Sequence, residues 1–235
     1  MLFIGLLMLG GCATSPRSDE GVVHFPHPSD KYETMNRKIF AFNVKMDRWF
    51  LKPVAQAYDW ATPTFAKRGV RNFFSNLGEI NNVVNDVLQG KAKQASNDTG
   101  RFLTNSTIGV FGLFDIANKI GLEKSDGEDF GQTFAKWGYA DSNYIMLPFL
   151  GPTTVRDGVG LPLDYLANPV TYVKPSTTAY GLGVVDLVDT RAQILQAEEL
   201  ASGDLYVFVR DTYLKRREFL LNDGVVVDTF GEEDF

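Results

Sequence analysis

Asp30-Lys31-Tyr32-Glu33-Thr34-Met35-Asn36-Arg37-Lys38-Ile39-Phe40-Ala41-Phe42-Asn43-Val44-Lys45-Met46-Asp47-Arg48-Trp49-Phe50 places its large apolar residues at a helical interval. Tyr32, Met35, Ile39, Phe42, Met46 and Trp49 follow one another at alternating spacings of three and four, which puts them on one face of a helix. Phe40, Val44 and Phe50 widen that face. Asn36, Arg37, Lys38, Asn43, Lys45, Asp47 and Arg48 fill the other side, which is basic and rich in amides. Asp30 and Glu33 have the spacing of a capping box, and Pro53 either ends the helix or opens the next one.

The same period continues downstream. Thr62-Pro63 reads as a cap with proline at the first helical position. Val70, Phe73, Leu77, Ile80, Val84 and Val87 then keep helical spacing, with a break expected at Gly78 and closure at Gly90. Asn72, Asn76, Asn81, Asn82 and Asn85 occupy the remaining positions. Asparagine is a poor helix former, so its repeated use predicts that the amides serve as hydrogen-bonding groups. Further helices are expected at 92–106, 114–120, 154–166, 176–200 and 202–221, with Pro162 tolerated or kinking its helix and Gly224 capping the last. From Gly121 to Gly160 the period fades into a segment rich in glycine and aromatics, expected to be a long structured loop with one helical turn near Gln132. Loops of that length are uncommon and often functional. β-alternation is nearly absent, so the predicted class is all-α, a single domain of amphipathic helices with a long Gly/aromatic loop.

Upstream, Leu2 to Leu9 is apolar and runs into Gly10-Gly11-Cys12, the chain's single cysteine. Such a run is too short to span a bilayer, which takes about 20 residues, and matches a signal peptide. The small residues before Cys12 predict bacterial lipidation at that thiol. No Lys or Arg precedes it, which a start assigned too late would explain, and Ala13 in place of Asp favours export to the outer membrane. The expected organisation is a lipoprotein signal peptide over 1–11, a lipidated tether over 12–28, a helical domain over 29–224 and an acidic tail over 225–235. His24 and His27 fall among tether prolines and are expected to be linker residues.

The chemistry available is narrow. The chain has 235 residues, a net charge of -6, 18 Phe, 9 Tyr and 3 Trp. Acidity argues against a nucleic-acid partner, and the aromatic content excludes disorder for most of the chain. With Cys12 spent on lipid, no thiol remains for a disulfide, a metal or a nucleophile. No Gly-x-Ser-x-Gly elbow or phosphate loop occurs, so no enzyme, cofactor or metal is expected. Asp126, Glu128 and Asp129 lack calcium-loop spacing and read as a solvated acidic turn. Lys215-Arg216-Arg217 either meets phosphates or offsets the dipole at a helix end. The broad aromatic faces allow two arrangements: helices lying in a bilayer interface, apolar side down, or helices packed on one another around a globular core.

Several motifs resemble one family. Tyr32-Glu33-Thr34-Met35-Asn36-Arg37, Leu51-Lys52-Pro53-Val54-Ala55, Asn72-Phe73-Phe74-Ser75-Asn76-Leu77 and Leu88-Gln89-Gly90 resemble the MlaA (VacJ) outer-membrane lipoproteins. The likeness continues in order through Arg101-Phe102-Leu103-Thr104-Asn105-Ser106-Thr107-Ile108-Gly109, Phe130-Gly131-Gln132-Thr133, Leu147-Pro148-Phe149-Leu150-Gly151-Pro152, Thr190-Arg191-Ala192-Gln193, and Arg210 to Phe219. It covers nearly all of residues 30–224. The resemblance implies a membrane-embedded ring of helices around an amphipathic central channel, lipid-anchored at Cys12 on the periplasmic face of the outer membrane. It implies removal of mislocalised phospholipid from the outer leaflet, delivery to a periplasmic phospholipid-binding carrier, association with trimeric porins, and maintenance of lipid asymmetry. On it Phe40, Phe42, Asn43, Tyr144, Leu147 and Phe149 are expected to lie on the lipid path, with the loop around Tyr144 to Gly151 similar to a gating hairpin. The alternative is a tethered envelope scaffold that handles no lipid.

Overall fold

The computed structural model describes residues 27–198 and 203–225. Cys12, His24, most of the tether and all but the first residue of the acidic tail lie outside the described residues. The helix read from the opening stretch is α1 (Glu33–Met46), which passes through a π-helical stretch, Asp47–Leu51, directly into α2 (Lys52–Ala61). Pro53 sits in the first turn of α2, where a missing N–H is harmless. The expected capping box does not form. Asp30 is buried and accepts hydrogen bonds from Asn36 and Tyr206 instead, while Glu33 pairs with Arg37.

α3 (Thr64–Gln89) follows Pro63, which stands at the N-cap one position earlier than expected, and runs unbroken through Gly78. A helical glycine costs about 1 kcal/mol, less than the side-chain bonds on either side of it hold. Gly90, at φ 77°, ends the helix in the left-handed conformation as predicted. α4 (Ala92–Thr107) folds back along α3, and α5 (Ile116–Lys119) closes the turn beyond it.

The segment expected to be a loop is more structured than its composition suggested. It contains α6 (Phe130–Lys136), capped by the Asp129 side chain, and an antiparallel hairpin of β1 (Tyr144–Leu147) and β2 (Gly151–Thr154). The hairpin register is Tyr144 to Thr154 and Leu147 to Gly151. α7 (Val155–Ala167) follows, capped by Thr154 and containing Pro162, then a 3-10 turn at Pro169–Tyr172. α8 (Ser176–Gln193) ends earlier than expected, before the short α9 (Leu195–Glu198). α10 (Leu205–Leu221) completes the fold, starting three residues later than expected and capped by the Asp204 side chain.

The helical period was right and the direction it faces is inverted. α1 buries Asn36, while Tyr32, Met35, Phe42 and Trp49 of the apolar stripe stay exposed. The pattern is general. Among the described residues nineteen polar or charged side chains are buried, against eight apolar ones, four of which are alanines. Trp60 is 90% exposed, Phe65 78% and Phe111 76%. Most of the aromatic stripe therefore does not pack into a globular core; only Ile39 and Phe40 of α1 reach the small cluster around Tyr144, Met146 and Tyr206. No helix among the described residues is long and apolar enough to cross a membrane.

Buried charges are stable only when paired and hydrogen-bonded, and here they form connected networks. Between α3 and α4, Arg101 meets Glu79 at 2.8 Å and donates to the Leu122 carbonyl at 2.7 Å. Asn76 reaches Ser106, Asn81 reaches Asp164, Asn82 accepts from the Glu128 amide and Asn85 accepts from Thr133. The α3 asparagines thus serve as predicted. The acidic turn is solvated only at Asp126, which is exposed; Glu128 takes Gln89 and Lys91, and Asp129 pairs with Arg217. Arg217 also meets Asp157 at 2.9 Å, so its role is neither phosphate binding nor dipole compensation. The cluster explains Gly131, whose added Cβ would stand 2.3 Å from Asp157 Oδ1.

Candidate functional site

The hairpin is held to α1 by two asparagine amides. Asn36 donates to the Tyr144 carbonyl at 3.2 Å and accepts from the Met146 amide at 2.9 Å. Asn43 donates to the Leu147 carbonyl at 2.9 Å and accepts from the Phe149 amide at 2.9 Å. Each side chain thus offers the free edge of β1 the donor and acceptor that another strand would supply. The spacing follows from element geometry. Seven helical residues rise about 10.5 Å, and the three-residue step along the strand covers about 10 Å.

The root and tip of the hairpin differ. Tyr144 is fully buried, packed edge-on against Tyr206 and Tyr213, and its amide donates to Ser29. Below it, Asp30 accepts from Asn36, from the Tyr206 hydroxyl at 2.6 Å and from Arg210. At the tip, Phe149 has φ 64°, uncommon for a residue with a side chain. Its ring is 74% exposed, 5.1 Å from that of Phe42, and Leu150 beside it is equally open. A polar clasp therefore holds an apolar tip outward.

Of the residues predicted for the lipid path, Phe42, Asn43, Leu147 and Phe149 come together at this clasp. Phe40 packs on Tyr206, 5.6 Å between rings, one layer inward. Tyr144, expected on the same path, is instead fully buried in the core beside Met146 and Tyr206, where it anchors the hairpin root. Cys12 lies outside the described residues. Sequence reasoning missed Asn36, Asp30, Tyr206 and Arg210. The signal available was Asn36 and Asn43 seven residues apart on one helix, each preceded by a large apolar residue.

Behind the hairpin root a cavity of about 920 Å³ opens between the end of α3, α6 and α10. Its wall includes Gln132 and Arg217, both buried, with Gln132 Oε1 and Arg217 Nε lacking partners among the described residues. Lys136 and Lys215 line it and form no ion pair among the described residues. Asp157, beside this wall, is buried, and Arg217 and Arg156 outweigh that burial and hold its pKa below the usual carboxylate range. Asp86, one layer deeper, has no hydrogen-bond partner on either carboxylate oxygen among the described residues, and burial, with Asp98 and Glu128 nearby, pushes its pKa up to about 7. The arrangement offers polar and cationic groups inside and apolar surface outside, which suits an amphiphile.

Residues 28–220 match the sequence profile of a family described as MlaA lipoprotein. The chain is 33% identical to the intermembrane phospholipid transport system lipoprotein MlaA of Shigella flexneri and to that of Escherichia coli strain K12, in each case over 95% of this chain and 88% of the relative. It is also similar to a solved structure described as the structural basis for maintenance of bacterial outer membrane lipid asymmetry. The TM-score is 0.73 at 35% identity, covering 83% of this chain and 100% of that one.

Proposed function

The chain belongs to the MlaA lipoprotein family, and from that premise we propose that it is an outer-membrane phospholipid-transport protein. In this scheme it takes mislocalised phospholipid from the outer leaflet through an amphipathic channel and passes it to a periplasmic lipid carrier, preserving lipid asymmetry. The observation that carries the proposal is the inside-out distribution of polarity. Burying a large apolar side chain is worth roughly 1.5 to 3 kcal/mol, and this fold leaves Trp49, Trp60, Phe65, Phe111 and Phe149 outside while burying Arg101, Glu79 and Asp98. Acyl chains around the exterior supply the apolar surroundings that water would not. An exposed apolar surface of this extent marks a membrane or protein contact.

The helices then form a ring lying in the inner leaflet, anchored also by acyl chains on Cys12. A headgroup crosses among the interior polar side chains while its tails follow apolar surface. Irregular backbone at membrane depth survives only where protein or a watery cavity covers it, and the two asparagines do that for β1. Phe42, Leu147 and Phe149 form the apolar side of the path, Asn43 sets the position of the tip, and Phe40 backs it. Trimeric porins are neighbours of the exterior. No bond is made or broken. In a deletion strain, outer-leaflet phospholipid rises, as measured by labelling of surface-exposed lipid; an unchanged outer leaflet would refute the proposal.

A further inference from the structure

A second cavity, of about 420 Å³, lies away from the hairpin, between the middle of α3, α8 and the 3-10 turn. Three charged residues line it: Arg71 on α3, Lys124 in the loop before α6, and Asp186 on α8. None of their side chains makes an ion pair or hydrogen bond among the described residues. The buried arginines, Arg101, Arg156, Arg191, Arg210 and Arg217, are by contrast all paired. Phe74, Leu77 and Val170 supply an apolar wall to the same space. Gly78, also at its edge, has nothing within 4 Å of where a Cβ would stand, so the helix backbone itself is open to an occupant.

Two cations and one anion around an amphipathic space match a ligand with one anionic group, one cationic group and an apolar body. Resting on the phospholipid-transport reading above, we propose that this cavity holds the headgroup of a zwitterionic phospholipid, its phosphodiester facing Arg71 and Lys124 and its ammonium facing Asp186. Anionic phospholipids carrying a glycerol headgroup satisfy the two cations and leave Asp186 facing a neutral hydroxyl. The site therefore favours ammonium-bearing lipids, and Asp186 is the residue that sets the preference.

The test uses the full-length lipoprotein in detergent, stripped and then reloaded from an equimolar mixture of phosphatidylethanolamine and phosphatidylglycerol, with bound lipid measured by mass spectrometry. The wild type is expected to retain phosphatidylethanolamine in excess. Asp186→Asn, which removes charge at a side chain making no bonds, lowers the ethanolamine-to-glycerol ratio about fivefold, the upper end for a solvent-accessible ion pair, with total lipid retained. Arg71→Gln combined with Lys124→Gln lowers both lipids together. Glycerophosphoethanolamine, the same headgroup without tails, fails to compete; equal competition would overturn the lipid assignment. An unchanged ratio in the correctly folded Asp186→Asn protein would overturn the headgroup proposal alone. A wild type that takes up neither lipid would overturn the transport reading beneath it.

Discussion

Asn36→Ala leaves the Asp30 carboxylate, the Tyr144 carbonyl and the Met146 amide each one hydrogen bond short. Unpaired buried groups cost roughly 1 to 3 kcal/mol each, so thermal unfolding in detergent should show a loss at the upper end of that range or beyond. Asn43→Ala differs, because Asn43 is only half-buried and ties the tip rather than the root. The fold persists, and hydrogen exchange at the Phe149 amide accelerates about tenfold, the effect of one lost hydrogen bond; unchanged exchange would remove Asn43 as the tie. Asp86 gives the opposite sign. Its pKa, pushed up to about 7 by burial and neighbouring carboxylates, lies above the unfolded value. Below the unfolded pKa both states hold the proton. As pH rises toward 7 the unfolded chain releases it first, so stability falls across that window and stays low above it. Asp86→Asn should raise stability by roughly 1 to 3 kcal/mol at pH 8, with the gap shrinking toward pH 4 in melts at both pH values.

Helix positions were legible because periodicity reports that a helix has two unlike faces. It does not report which face meets protein, and for α1 and α3 the polar one does. The asparagine run in α3 was the available hint, since its amides had no reason to be there on a solvated face. The hairpin was hidden for a different reason. With four residues per strand, Pro152 in β2 and glycine at its start, it shows no alternation, and its outer edge is completed by side chains of a helix more than a hundred residues away. The Gly109–Phe114 turn was equally opaque. Val110 and Phe111 adopt positive φ there, and Gly112, at φ 86°, lies where a Cβ would approach Asn76 Cβ to 2.7 Å. Gly112→Ala should therefore cost at least about 1 kcal/mol and loosen the Asn76–Ser106 bond between α3 and α4, read as a lower melting temperature.

At the scale of the molecule, apolar exterior and polar interior are one design. In the proposed arrangement, a ring whose helices lie in the leaflet needs its hydrogen-bonding groups paired inward, and the buried networks from Asp30 through Arg217 suit that need. On the same proposal, the lipid on Cys12 adds to an attachment made by the apolar exterior. Cys12→Ala is expected to mislocalise the protein in membrane fractionation while leaving lipid content per folded molecule unchanged; loss of lipid from the variant would contradict that division. The central claim is that the fold carries phospholipid and hands it on. Mass spectrometry of the full-length protein in detergent, before and after mixing with the proposed periplasmic carrier, tests this most directly. Phospholipid at about one molecule per chain, transferred to the carrier on mixing, is the predicted result; a chain that purifies folded and free of lipid, and transfers none, would contradict it.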